Sequence, residues 1–214
     1  MARILKGILG PFTGSIANVV GYERLGTACI RTKGDPQPQN FTEKQLSHQL
    51  RVRLANSFIN PTKSFINIGF ALSTQKGQTA HNVAMSSTLK TGITGTYPNL
   101  ELDYVNLIVS KGALPGARNA AAAFVDGNKL QFSWDYDELA EFELRRDQVM
   151  LLAYSPSSKS SFYTIGGPQR SVGEAILNVY PEVEHESFET YIAFITEDRK
   201  SISMSNYTGR ILLP

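Results

Sequence analysis

The sequence predicts an α+β fold in which an N-terminal β-hairpin and about three helices precede a C-terminal antiparallel β-sandwich. Between residues 42 and 91, apolar residues recur three or four positions apart, which is the helical period. From about residue 100 this period gives way to seven or eight short β-rich runs separated by turn residues, a spacing typical of a sandwich. We therefore expect two domains, a basic hairpin-and-helix module over residues 1–99 and an acidic β-sandwich over residues 100–214.

The hairpin is predicted from two β-rich runs near the N-terminus, Ser15–Glu23 and Thr27–Lys33. The three residues between them end in Gly26, which can adopt the left-handed conformation that such a loop requires. An isolated hairpin is only marginally stable in water. We therefore expect it to pack on the helices, on the second half of the chain, or on a neighbouring subunit.

Helix boundaries are indicated by capping residues. Thr42 and Gln45 form a capping-box pattern at the start of the first helix, and Asn60-Pro61 ends it and can begin a second short helix. A third helix is expected over about residues 77–91, with Gly92 as its stop. The expected buried faces consist of Leu46, Leu50, Leu54, Ala55, Phe58 and Ile59 in the first helix, Phe65, Ile66 and Phe70 in the second, and His81, Ala84, Met85, Thr88 and Leu89 in the third.

The strands of the second half are predicted from alternation and β-branched content. In Lys129–Tyr136 the apolar residues Leu130, Phe132 and Trp134 alternate with polar ones, which is the pattern of a half-buried strand. The full set of predicted strands is Asp103–Lys111, Ala121–Val125, Lys129–Tyr136, Gln148–Tyr154, Ser160–Ile165, Val172–Tyr180, Glu189–Thr196 and Ser201–Tyr207.

Three of these strands carry a resemblance to a fibronectin type III or immunoglobulin-like domain over residues 102–207. Leu130–Trp134 resembles the Trp-bearing strand B, Val149–Tyr154 resembles strand C, and Tyr191–Thr196 resembles strand F. The resemblance implies a tyrosine corner at Tyr191. His185 stands where a leucine usually precedes such a tyrosine by six residues.

A second resemblance extends over nearly the whole chain. Its segments are Gly10-Pro-Phe-Thr-Gly14, Val20-Gly-Tyr22, Asn67-Ile-Gly-Phe70, Ala80–Lys90, Ile93-Thr-Gly-Thr-Tyr-Pro98 and Asp103-Tyr104. Together they resemble a bacterial family of unknown function. That resemblance implies no activity and no active-site residues.

Charge is divided unevenly along the chain. Residues 1–100 contain 11 Lys and Arg against 3 Asp and Glu, whereas residues 101–214 contain 10 against 16. This division is compatible with ordinary variation in surface composition, with a basic half that approaches a polyanion, or with attraction between the two halves within or between chains. The residues predicted to contact a polyanion, on a helix face that is equally compatible with simple solvation, are Lys44, His48, Arg51 and Arg53.

The sequence carries no recognisable catalytic motif. Dinucleotide, phosphate-loop, nucleophile-elbow and HExxH patterns are missing, and His48, His81 and His185 fall in three different predicted elements. Cys29, the single cysteine, is expected to be a small buried side chain rather than a nucleophile. The acidic clusters are interpreted as solvated turns: Asp135, Asp137, Glu138, Glu141 and Glu143, and Glu182, Glu184, Glu186 and Glu189. We therefore predict that the protein is not an enzyme. We expect it to have no catalytic residues, no metal site, no cofactor and no small-molecule substrate.

The two ends of the chain favour an interaction role. Gly209–Pro214 ends on three successive apolar residues, which should dock either on the chain's own helices or on the sheet edge of a neighbour. The candidate interaction residues are Ile4, Leu5, Ile8, Phe12, Val20, Tyr22, Ile211, Leu212 and Leu213. The predicted function is a structural or protein-interaction module that binds itself or another protein, as part of a larger particle or filament; the alternatives are a nucleic-acid-binding protein and an enzyme on an unfamiliar scaffold.

The expected location is the cytoplasm or a particle assembled there. No run of 18 apolar residues that could span a membrane is present. The apolar stretch after Met1–Lys6 is interrupted by Gly7, Gly10 and Pro11, so no signal peptide is recognised.

Overall fold

The computed structural model describes residues 3–4, 10–34, 40–125, 128–136, 146–182 and 185–213. By contacts the chain divides into two compact units, Met1–Thr42 and Glu43–Pro214. The predicted domain boundary between residues 99 and 100 stays a prediction. The second unit contains the helices together with the sheets that follow them, and the helices share a hydrophobic core with the four-stranded sheet.

The first unit contains one antiparallel sheet of order β1-β2-β3-β4. Its strands are β1 (Arg3–Ile4), β2 (Phe12–Ile16), β3 (Val19–Arg24) and β4 (Thr27–Thr32). The predicted hairpin is present as β3 and β4, but the predicted continuous run Ser15–Glu23 is wrong.

Two tight turns explain that difference. The chain reverses at Ala17-Asn18, where Ala17 has a φ of 48°, so Ile16 pairs with Val19. The β3–β4 loop contains two residues, Leu25 and Gly26, and not the three that were predicted, because Arg24 pairs with Thr27.

The second unit begins with three helices, α1 (Glu43–Ile59), α2 (Lys63–Gly69) and α3 (Ala80–Thr91). The predicted cap of the second helix at Asn60 is wrong: α2 starts after Thr62, whose hydroxyl donates to the Phe58 carbonyl at 2.7 Å. The predicted apolar faces are confirmed most clearly toward the end of α1 and in α2. The residues buried there are Ala55, Phe58, Ile59, Phe65, Ile66 and Phe70.

Nine strands follow the helices in the described part of the second unit. They are β5 (Ile93–Thr96), β6 (Asn99–Leu102), β7 (Arg118–Val125), β8 (Lys129–Asp135), β9 (Gln148–Tyr154), β10 (Ser161–Gln169), β11 (Glu174–Asn178), β12 (Ser187–Ile195) and β13 (Asn206–Leu212). All pair in antiparallel fashion, in sheets of order β10-β9-β12-β13, β11-β8-β7 and β5-β6. Short 3-10 helices lie at Ala71–Ser73 and Arg170–Val172.

Two strand predictions are wrong. Asp103–Lys111 forms no strand, because its backbone is bound by a helix end and a side chain: the Lys111 N–H donates to the Gly69 carbonyl at 3.0 Å, and the Val109 N–H donates to the Ser205 hydroxyl at 3.0 Å. Ser201–Tyr207 is replaced by the later strand β13.

The central strands β9 and β12 are buried on both faces. One face of β9 presents Met150, Leu152 and Tyr154 to a core that also contains Phe58 and Phe65 from the helices. Its other face contributes to a second core that combines side chains of the four-stranded and three-stranded sheets. The members of that second core on the four strands β8, β9, β11 and β12 are Leu130, Phe132, Trp134, Val149, Leu151, Ala153, Ala175, Leu177, Phe188, Ile192 and Phe194.

The predicted tyrosine corner at Tyr191 is wrong. Tyr191 is fully buried on the helix-facing side of β12, and its hydroxyl donates to the carbonyl of Tyr104 at 2.8 Å. A tyrosine corner would instead bond to backbone a few residues upstream. Tyr191 therefore connects β12 to the segment that follows β6.

Candidate functional site

The N-terminal sheet has two chemically different faces. Because side chains alternate along a strand and paired residues share a face, the register assigns the apolar residues Phe12, Ile16, Val19, Ala28 and Ile30 to one side, together with Glu23 and Thr32. The opposite side carries mainly hydroxyl and charged residues. Its members are Thr13, Ser15, Val20, Tyr22, Arg24, Thr27, Cys29 and Arg31. We call the first side the apolar face.

Very little of this sheet is buried. Gly21 is the only buried residue among residues 10–34. The ring of Phe12 lies against Gly21, where an added Cβ would fall 2.7 Å from a ring carbon, so residue 21 must lack a side chain. On the apolar face Ile16 is 47% exposed and Ile30 is 69% exposed. Residues 10–34 therefore supply no hydrophobic core of their own.

The structure distributes the predicted interaction residues over different environments. Phe12 and Val20 are half-buried, Tyr22 is exposed, and the β1 backbone pairs Ile4 with Phe12. Leu5 and Ile8 lie outside the described residues. The face that groups Phe12 with Ile16 and Ile30 was missed, although the alternation of Phe12, Gly14 and Ile16 could have indicated it.

The apolar C-terminus is mostly accounted for within the chain. Ile211 belongs to β13 and packs against the second core, and Leu213 is buried in that core. The Leu213 N–H donates to the Glu186 carbonyl at 2.9 Å. Leu212 is 64% exposed. Of the three predicted interaction residues in this segment, it is the one whose side chain is accessible to a partner. The C-terminal segment was expected to dock on the helices as one alternative, and it instead pairs as β13 with β12.

The predicted polyanion contacts all lie on α1. Lys44, His48 and Arg53 are exposed, whereas Arg51 is half-buried. Cys29 is half-buried, and its thiol contacts the Thr27 carbonyl at 3.5 Å.

The interpretation of the second acidic cluster as solvated turns is wrong for two of its members. Glu186 is buried, accepting hydrogen bonds from the Ser158 hydroxyl and, at 2.8 Å, from the Glu182 N–H. Glu189 is also buried and accepts from Tyr207 at 2.6 Å. The other carboxylate oxygen of Glu189 accepts from the Nε of Arg210 at 2.7 Å.

The remaining members of the acidic clusters take other positions. Asp135 is exposed and accepts from the Asn119 side chain at 2.6 Å, and Glu182 is exposed. Asp137, Glu138, Glu141, Glu143 and Glu184 lie outside the described residues.

The carboxylate of Glu189 lies among tyrosines on the helix-facing side of the four-stranded sheet. Burial, and then the charge of Glu189, raises the pKa of Tyr104. Burial and the hydrogen bond to Glu189 raise the pKa of Tyr207 in the same way. Both phenols therefore stay protonated, and that of Tyr207 donates to Glu189, which favours a structural role over acid–base chemistry.

A buried ion pair joins the residue before β9 to the 3-10 helix that follows β10. Arg170 lies 3.2 Å from Asp147, and its guanidinium carbon is 3.8 Å from the centroid of the Phe194 ring. The same guanidinium donates to the carbonyls of Pro115 and Gly116 at 2.7 and 3.2 Å. Burial lowers the pKa of Arg170 and raises that of Asp147, and the ion pair opposes both shifts. No periodic pattern in the sequence indicates this pair, since its two residues lie 23 positions apart, Asp147 just before β9 and Arg170 in a 3-10 helix.

The described residues contain no group of three or more His, Cys, Asp or Glu placed to hold a metal ion. Within the same described portion, none of the helices combines the length and the hydropathy that crossing a bilayer requires.

These features define a mixed α+β protein with antiparallel sheets and an exposed, amphipathic N-terminal sheet. The chain belongs to DUF6266, a family of unknown function whose model matches residues 11–209. The predicted resemblance to a family of unknown function over nearly the whole chain is thereby confirmed. A comparison with curated proteins gives no match.

Proposed function

We propose that this protein is a non-enzymatic, self-associating structural module whose contact surface is the N-terminal sheet. The observation that carries the proposal is the apolar face, on which Ile16 and Ile30 remain exposed. An amphipathic antiparallel sheet normally packs its apolar face on a core, and residues 10–34 supply no such core. A second copy of the chain supplies an equivalent apolar face as that cover.

The second unit serves as the folded platform that carries this sheet. We propose that its two larger sheets form a fibronectin type III-like sandwich in which β8, β9 and β12 take the places of strands B, C and F. The shared second core supports this arrangement, as does the edge-to-face contact of Trp134 on β8 with Phe194 on β12, at 5.5 Å between ring centroids. Nuclear Overhauser effects between these two rings would test it, and their absence would contradict it.

Light scattering after size-exclusion chromatography tests self-association. We expect the mass of the unmodified chain to exceed that of one copy and to increase with concentration. Ile16→Lys places a charge on the apolar face and should lower the mass. Ser15→Lys is the matched control, since it adds the same charge one residue away on the opposite face.

Two results would contradict the proposal. One is a mass of a single copy at every concentration, and the other is an equal effect of Ile16→Lys and Ser15→Lys. Titration of the same preparations with mixed-sequence DNA at about 50 mM salt examines the nucleic-acid alternative, since phosphate contacts from Lys44 and Arg53 would give binding that weakens steeply with salt.

A further inference from the structure

β4 is the outer strand of the N-terminal sheet, and among the described residues it pairs with β3 alone. In an antiparallel pair, alternate residues exchange backbone hydrogen bonds. The two-residue turn at Leu25-Gly26 makes Arg24 and Thr27 such a bonded pair. It follows that Ala28, Ile30 and Thr32 direct their N–H and C=O groups away from β3.

This free edge lacks two features that normally prevent strands from pairing across an edge, proline and a bulge. Natural sheets block their edges with proline, bulges, charged side chains on the edge strand or inward-pointing charge. The strand Thr27–Thr32 contains no proline, and its register with β3 is continuous from Arg24 to Val19. Its one charged residue, Arg31, is not among the three residues whose backbone groups are directed outward, Ala28, Ile30 and Thr32.

We propose that β4 pairs with β4 of a second copy in antiparallel register, about a two-fold axis at Ile30. The inference rests on the proposed self-association and adds an edge contact to the proposed contact between apolar faces. Ile30 then lies opposite Ile30 of the second copy, and Ala28 lies opposite Thr32. All three outward-directed residues form bonded pairs, which gives about six interchain hydrogen bonds.

Charge and pairing favour this axis over its neighbours. An axis at Arg31 would set two guanidinium groups directly opposite each other, which destabilises a strand pair. An axis at Cys29 would leave Thr32 opposite Gly26, which lies in the turn. With the axis at Ile30, Arg31 faces Cys29 and Lys33 faces Thr27, so neither cation meets another charge.

The same register unites the two apolar faces. A two-fold axis perpendicular to the sheet keeps both apolar faces on one side, and the two Ile30 side chains become a cross-strand pair with Cα atoms about 5.5 Å apart. Pairing thus brings together side chains that are 69% exposed in the single chain. The joined face is also the surface on which further copies can stack.

Disulfide trapping tests the register. In a Cys29→Ser background, which removes the single cysteine, Ile30→Cys should yield a disulfide-linked dimer, because a Cα separation of about 5.5 Å lies within the disulfide range. Thr32→Cys in the same background is the matched control. Its counterpart would lie about 13 Å away along the strand, so we expect no linked dimer. Oxidised samples are compared on non-reducing gels, with light scattering of the unoxidised proteins in parallel.

A charge-swap experiment gives an independent readout, since only a residue on the axis faces itself. Ile30→Lys and Ile30→Glu should each reduce self-association, and an equimolar mixture of the two should restore it. A chain that associates by light scattering but forms no linked dimer through Ile30→Cys, or links equally through Thr32→Cys, would overturn the edge pairing and leave the proposed function standing. A chain that stays a single copy would overturn both.

Discussion

The N-terminal sheet and the β9–β12 pair are both antiparallel, yet their environments are opposite. β9 reads Gln148-Val-Met-Leu-Leu-Ala-Tyr154, and its six apolar residues are all buried, three toward the helices and three toward the other sheet. In β4, by contrast, only Cys29 is even half-buried. Secondary structure alone therefore does not determine whether a strand belongs to a core.

The difference lies in how apolar residues are distributed along each strand. A run that is apolar at every position needs cover on both sides, and here the helices and the three-stranded sheet provide it. The N-terminal strands alternate and need cover on one side only. Residues 10–34 offer no such cover, and the proposed second copy does. The proposed assembly therefore rests on the amphipathic alternation of this small sheet.

The first prediction concerns the core that the helices form with one face of the β9–β12 pair, where we expect the greatest loss of stability. Phe58 is fully buried and makes edge-to-face contacts with Tyr104, Tyr154 and Tyr191 at 5.0–6.5 Å between ring centroids. Phe58→Ala should lower the free energy of unfolding by about 3–5 kcal/mol, because it removes apolar contacts and leaves a cavity. Ile16→Ala, on the exposed sheet, should change it by less than about 0.5 kcal/mol at a protein concentration where the chain is a single copy. Urea denaturation followed by circular dichroism measures both, and similar losses would contradict the contrast.

The buried ion pair gives the next effect. Arg170→Met leaves the Asp147 carboxylate buried without its cation, which should cost about 3–5 kcal/mol at neutral pH. Arg170 lowers the pKa of Asp147, so its loss raises that pKa further. A carboxyl whose pKa is raised by folding binds its proton more tightly in the folded state. Stability should therefore recover as pH falls from the raised pKa toward the ordinary value of about 4.

The double variant Asp147→Asn with Arg170→Met is the control for this assignment. With the carboxyl removed, the recovery of stability at low pH should disappear. Urea midpoints at several pH values measure it. An Arg170→Met protein as stable as the unmodified chain at neutral pH, or one whose stability falls steadily on acidification, would contradict the role given to the pair.

A smaller loss is expected at the tyrosine cluster. Tyr207→Phe removes the 2.6 Å hydrogen bond to the buried carboxylate of Glu189, and bonds to charged groups contribute about 1.5–3 kcal/mol. Tyr180→Phe makes the same change at a tyrosine that is 68% exposed and should have almost no effect. Thermal denaturation of the two variants side by side measures the difference. Equal melting temperatures would show that Arg210 alone satisfies Glu189.

The helices could be predicted because their signals are local. The spacing of Leu50, Leu54 and Phe58 identifies α1, and alternation through Leu130, Phe132 and Trp134 identifies β8. The predicted strand Asp103–Lys111 failed for a non-local reason. Its apolar residues Leu107 and Val109 are buried, but the hydrogen bonds of its backbone go to Gly69 and Ser205, which are distant in sequence.

The candidate site was partly predictable for the same reason. Val20 and Tyr22 were identified within a local β-rich run, whereas the shared face of Ile16 and Ile30 depends on the turn at Ala17-Asn18, which contains neither glycine nor proline. The buried state of Glu189 likewise depends on Tyr207 and Arg210, which reach it through pairing of β12 with β13. Register between strands, not the content of each strand, was the missing information.

The last prediction concerns the exposed N-terminal sheet, which a change in one turn should stabilise slightly without adding any apolar contact. Leu25 occupies the first turn position between β3 and β4 with a φ of 50°, a left-handed conformation that costs a leucine about 1 kcal/mol and that asparagine tolerates. Leu25→Asn should therefore slow amide hydrogen exchange in β3 and β4 about fivefold, since 1 kcal/mol changes the opening equilibrium by that factor. Leu72→Asn, at a leucine that is likewise about half exposed but in the second unit, should leave those amides unchanged. Faster exchange in Leu25→Asn would mean that contacts of the Leu25 side chain outweigh the strain of the turn. Side-chain packing would then contribute more to the N-terminal sheet than the exposure of its residues indicates.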